Sequence, residues 1–134
     1  MTIIDLAIQR IAFDARGRIV RLGRLRQWFE GPGVPIPPEI VALTGISDAD
    51  VRGQRIQDSE AVAMISASDL TNAHNAAFDA PRVKRRLPAA AGSAWACSCA
   101  EIDWPALGFD GQKLGHLLMQ CCMFHEGHRA GSDI

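Results

Sequence analysis

Apolar and polar residues alternate from Ile3 to Phe13. Ile4, Leu6 and Ile8 share one face of an extended chain, and Ile11 and Phe13 continue the apolar strand. Asp14-Ala15-Arg16-Gly17 has turn composition, and Arg18 to Phe29 reads as the returning strand, so the pattern predicts a β-hairpin. Pro37-Pro38-Glu39 then opens a short helix that Gly45 stops, because proline suits the first helical turn and glycine the left-handed cap. Ser47-Asp48-Ala49-Asp50 has the form of a capping box, and Asp58-Ser59-Glu60 opens a helix through Ile65.

The second half alternates strands with helices. Asp69 to Asn75 reads as a short strand running into a polar end, followed by a helix from Ala76 to Leu87. Trp95 to Ser98 is another short strand, Glu101 to Leu107 a brief helix, and Gly108 to Gly111 a turn. Lys113 to Met123 reads as a helix, with Leu114, Leu117, Leu118 and Cys121 spaced for one buried face. Gly127-His128 opens a final segment. A hairpin followed by alternating strands and helices predicts one α/β domain over residues 1–134, with a mixed sheet and flanking helices. The one Pro-rich stretch, Gly31 to Pro38, is too short for a domain linker.

Composition narrows the class. The 134 residues are 48% hydrophobic and 22% charged, which excludes disordered and collagen-like chains. No apolar run approaches the ~18 residues of a membrane span, and the N-terminus lacks the layout of a secretion signal. The expectation is a cytoplasmic protein with no membrane partner. Four cysteines, two of them adjacent (Cys121, Cys122), make a poor disulfide framework and read as reduced thiols.

Net charge is −1, but position matters more than the total. Six arginines fall within residues 1–26, and Arg82, Lys84, Arg85 and Arg86 form a second cluster. Arginine grips phosphate through two parallel hydrogen bonds. A solvated face is the plainer reading of both clusters.

Two polar groups could carry chemistry. His74-Asn75-Ala76-Ala77-Phe78-Asp79 stands at the carboxyl end of a strand, where open α/β sheets place ligands, although Asp79 alone could simply serve the helix dipole. His128-Arg129-Ala130-Gly131-Ser132-Asp133 is the other. On an ideal helix His128 and Asp133 would lie about 140° apart, so they converge only if His128 sits in a loop before the helix. Neither group is decisive alone.

Together the two groups, about fifty residues apart, resemble the second and third motifs of the DEDDh 3′–5′ exonuclease family, which includes proofreading exonucleases like the epsilon subunit of bacterial replicative DNA polymerase. Pro35 to Ile40 with Leu43-Thr44-Gly45-Ile46-Ser47-Asp48 resembles the family's loop and short helix beside the terminal nucleotide.

The resemblance implies an RNase H-like fold and phosphodiester hydrolysis at single-stranded DNA or RNA 3′ ends, with two Mg²⁺ or Mn²⁺ ions held by four carboxylates. Asp79 and Asp133 would be metal ligands and His128 the general base. Asn75 and Phe78 would orient the strand end and fill the core. Leu43, Thr44 and Ile46 would pack against the terminal base. A DNA polymerase subunit is the implied protein partner.

The family's first motif, Asp-x-Glu on the central strand, should precede Ile3; Asp5-Leu6-Ala7 has Ala where Glu is needed. The expectation is therefore an incomplete domain, lacking the first central strand and part of the last helix, and inactive or nearly so by itself. Two other readings compete. One is an inactive exonuclease-like module that only contacts nucleic acid or protein. The other is a zinc-stabilised binding domain using Cys97, Cys99, Cys121, Cys122, His125 and His128, whose spacing does not suit structural zinc.

Overall fold

A computed structural model describes residues 2–124, 127–131 and 133–134. The expected hairpin forms, but in two pieces. Strands β1 (Asp5–Ile8) and β4 (Arg26–Phe29) pair antiparallel, and β2 (Ile11–Phe13) and β3 (Ile19–Leu22) pair antiparallel beyond them. The Gln9 amide donates to the Gly23 carbonyl at 3.0 Å where the ladder breaks. At the far end the Asp14 carboxylate accepts the backbone N–H groups of Arg16 and Arg18, closing a turn in which Gly17 has φ +75°. A side-chain acceptor and a residue tolerant of positive φ are what a tight turn requires.

Helix α1 (Pro38–Thr44) begins with proline and ends at Gly45, which is left-handed at φ +70°. Helix α2 (Asp48–Val51) carries the capping box, Ser47 and Asp50 bonding reciprocally. Helix α3 (Asp58–Ser66), strand β5 (Thr71–Ala73), helix α4 (Ala76–Arg86), strand β6 (Trp95–Cys97) and helix α5 (Leu114–Gln120) follow. The brief helix expected over Glu101 to Leu107 is a single 3-10 turn, Pro105–Leu107.

The chain is thus mixed α/β. In place of one mixed sheet, the described residues form three two-stranded sheets, β1–β4, β2–β3 and the parallel pair β5–β6. Strand pairing is a non-local choice, and no described strand bridges β1 to β5.

Two clusters hold the elements together. The larger joins Trp28 of β4, Ile56, Ala61 and Ile65 of α3, and Val83 and Leu87 at the end of α4, with Leu6 and Ile8 packed on it. The smaller joins Ile36, Ile46 and Val51, with Ile4 and Phe29 against it. Ile4 therefore leaves the company of Leu6 and Ile8. Helix α5 buries Leu117 but stops at Gln120; Cys122 turns left-handed at φ +56°, and Cys121 is exposed rather than part of a buried face. No helix among the described residues is long and apolar enough to cross a membrane.

An ion cluster fixes the C-terminal end of α4. Arg86 donates to both Glu30 carboxylate oxygens at 2.6 Å and to both Asp58 oxygens at 2.8 and 3.0 Å. Glu30 also accepts the Ile56 N–H. One guanidinium thus ties β4, α3 and α4 together, and its fork geometry suits two carboxylates. The Arg86 hydrogen bonds hold the Glu30 carboxyl below its ordinary pKa, against the effect of burial. They lower Asp58 in the same way.

Candidate functional site

Helix α4 begins where β5 ends. Asn75 caps it in the left-handed region at φ +85°, and its carbonyl accepts the Phe78 N–H at 2.9 Å. That sharp turn places Asp79 in the first helical turn, half-buried. Burial raises the Asp79 pKa, Arg82 pulls it down, and the charge of Asp133 raises it further. Two acids separated by 54 positions thus share one electrostatic neighbourhood. Desolvation and a like charge in the surroundings both favour the protonated form of a carboxyl.

The segment carrying Asp133 is held by contacts from β1 and β4. The Asp5 side chain is only 7% exposed; it accepts the Ala130 N–H at 3.0 Å and the Gln27 amide at 2.8 Å, with Arg129 Nε at 3.9 Å. The Arg129 guanidinium lies 5.8 Å from the Phe29 ring. Gly131 packs so closely on Gln27 that a side chain there would run into the amide. The register puts Asp5 opposite Phe29 and Ala7 opposite Gln27, so these residues share one face of the pair. His128 precedes this anchor in a turn, exposed, at φ +65°. His128 is thus in a turn, and the helix expected to carry Asp133 is not formed: no described residue after Gln120 is helical. The Asp133 N–H bonds the Arg129 carbonyl at 3.1 Å, one helical turn on.

Other expected residues have different duties. Phe78 does not fill the core: it is 46% exposed, and the Arg82 guanidinium covers its ring at 3.6 Å. Ile46 is 2% exposed and packs in the smaller cluster, so it cannot lie against a base. The Thr44 hydroxyl donates to the Ile40 carbonyl at 2.8 Å and accepts the Ile46 N–H, closing the end of α1. Leu43 is exposed on the same turn and can meet a ligand. Arg86 is consumed by Glu30 and Asp58 and is no phosphate contact, whereas Arg82 stands beside Asp79.

His74 is structural. Its Nδ1 meets the Ser98 hydroxyl at 3.1 Å and its Nε2 the Gln112 carbonyl. A shallow pocket of about 340 Å³ lies beside it, lined by Ile102, Asp103, Trp104, Pro105, Gly111 and Gln112, and neither Asp79 nor Asp133 lines it.

All four cysteines are thiols. Cys97 accepts the Ala76 N–H at 3.4 Å, and this bond, with those from Ala100, Asn75 and Cys99, holds its pKa below the ordinary thiol value against desolvation. His125, a candidate zinc ligand, lies outside the described residues. Among the described residues no group of three or more His, Cys, Asp or Glu could hold a metal ion. Asp79 and Asp133 are hard oxygen donors, and a divalent cation would offset electrostatically the desolvation and the like charge that raise the Asp79 pKa. That donor chemistry fits Mg²⁺ or Mn²⁺ rather than a thiophilic metal.

Asp5 was the residue the sequence concealed. An acid in an apolar strand looks like a solvent-facing position, and the one signal for burial is its place among Ile3, Ile4, Leu6 and Ile8. No family model matches the chain, and neither a curated protein nor a solved structure does.

Proposed function

We propose that the chain is an RNase H-like, metal-dependent 3′–5′ exonuclease domain acting on single-stranded nucleic acid ends. What supports this reading is the resemblance of the two motifs to the family's, together with the half-buried position of Asp79 at the start of α4, where the charge of Asp133 is felt. Asp79 and Asp133 would hold the divalent cations, leaving the rest of the coordination shell to other oxygen donors. Ions held there would supply Lewis-acid polarisation of the scissile phosphate and of its attacking water. His128, exposed beside the anchored segment, accepts the water's proton at a ring nitrogen. Asp5 and Gln27 position that segment, and Leu43 offers an apolar contact to the terminal base. A DNA polymerase subunit is the proposed protein partner, on the resemblance alone.

The test is release of 3′-terminal nucleotides from an end-labelled single-stranded oligonucleotide in Mn²⁺. It is run with this chain and with a longer version bearing an Asp-x-Glu strand. His128→Ala should slow release by ~10²–10⁴-fold, the usual cost of losing a general base. Asp79→Asn should remove metal-dependent turnover while leaving the circular dichroism unchanged. Binding without cutting in both versions would favour a non-hydrolytic module. Cleavage indifferent to both substitutions would contradict the proposal.

A further inference from the structure

The β2–β3 ribbon stands apart from the rest of the molecule. All seven of its strand residues are exposed, Phe13 by 60%. Residues 10–24 carry five arginines and a single acid, Asp14, a local charge of +4 on a chain whose net charge is −1. Asp14 is occupied by Arg18 at 2.8 Å. Arg10, Arg16, Arg21 and Arg24 are exposed and, among the described residues, make no ion pair.

We infer that this ribbon is a second nucleic-acid contact, which takes the phosphate backbone of an unpaired strand. Charge complementarity selects a polyanion, and arginine without lysine suits forked contact with phosphate oxygens and stacking on bases. The exposed Phe13, Ile19, Val20 and Leu22 select the unpaired form, because only single strands offer base faces to apolar side chains. The β2–β3 register sets the Ala12–Arg21 pair between the apolar pairs Ile11–Leu22 and Phe13–Ile19, and Arg10, Arg16, Arg18 and Arg24 flank the strands or lie in their turn. This surface does not depend on the acid pair, and the contact is sequence-independent.

The experiment is fluorescence anisotropy of a labelled thymidine homopolymer about thirty nucleotides long, enough to span several contacts. It is run in EDTA across a salt series, so that binding is read without cleavage and a failure of the exonuclease proposal leaves it intact. Arg21→Gln/Arg24→Gln should weaken binding about tenfold at low salt and reduce the log–log salt slope by about 1.4, two single-strand phosphate contacts. Arg52→Gln/Arg55→Gln removes the same charge from exposed positions off the ribbon and should leave the slope unchanged. Phe13→Ala should weaken binding about fivefold without altering the slope. Equal slope changes in the two arginine pairs would reduce the effect to net charge and overturn the inference, as would no change in either. Capture by anionic phospholipid vesicles with no homopolymer binding would overturn it in favour of a lipid surface. Unchanged melting curves verify that each variant is folded.

Discussion

The two ends of helix α4 solve opposite electrostatic problems. At its C-terminal end one cation meets two acids: Arg86 bonds Glu30 and Asp58, and Val83 and Leu87 bury beside them in the larger cluster. At its N-terminal end a half-buried acid feels a cation, Arg82, and more weakly a second acid, Asp133. Asp79 is half-buried, and Asp133 adds to the desolvation that raises its pKa. Phe78, one residue earlier, is left exposed under Arg82. The first end binds elements of the chain to one another. The second places charge where it does not help the fold, a feature often found at functional sites and the one on which the proposed cation site rests.

The largest expected break in this contrast is Arg86→Ala. It leaves Glu30 in a nearly buried place without its cation, and removing one partner of such a pair costs about 3 kcal/mol. Chemical denaturation should show that loss. Asp5→Ala comes next. It strips the acceptor from the Ala130 N–H and should cost about 1–2 kcal/mol, freeing the 129–131 segment to proteolysis before the core opens. Arg82→Ala is smallest, below about 1 kcal/mol, because it removes an exposed contact over Phe78. A loss for Arg82→Ala as large as that for Arg86→Ala would erase the distinction between the two ends.

Acid sharpens the comparison because the shifts have opposite signs. Glu30 and Asp58 are lowered, so their stabilisation is full above the ordinary carboxylate pKa of about 4 and is lost as pH falls through their folded values. Asp79 is raised, so its folded state takes up a proton first, and stability increases as pH falls through that value. Melting temperature against pH should therefore rise slightly on mild acidification of the metal-free chain and then fall. Asp79→Asn should abolish the rise and keep the fall.

Local chemistry was legible in the sequence. The Asp14–Gly17 turn, the Pro38 start and Gly45 stop of α1, and the Ser47–Asp50 box each depend on neighbours a few residues away. Helix α4 was legible despite Pro81 within it, since Val83 and Leu87 supply enough burial to hold the helix. What depends on distant partners was not legible. The sheet divides into pairs, Ile46 and Thr44 serve the core and the α1 cap, Phe78 turns outward, and Arg86 is absorbed by Glu30 and Asp58. Of the candidate site, the motif acids were readable as residue types. The Asp5 anchor was not, because nothing in a strand's alternation reveals which acid will meet a segment 125 positions away.

The central claim is that Asp79 and Asp133 form one cation site, and Mn²⁺ binding followed by electron paramagnetic resonance tests it most directly. Asp79→Asn and Asp133→Asn should each weaken Mn²⁺ binding by at least about tenfold, and the double variant should be little worse than either alone, since both act on one site. Mn²⁺ affinity unchanged by both substitutions, or losses that simply add, would contradict it.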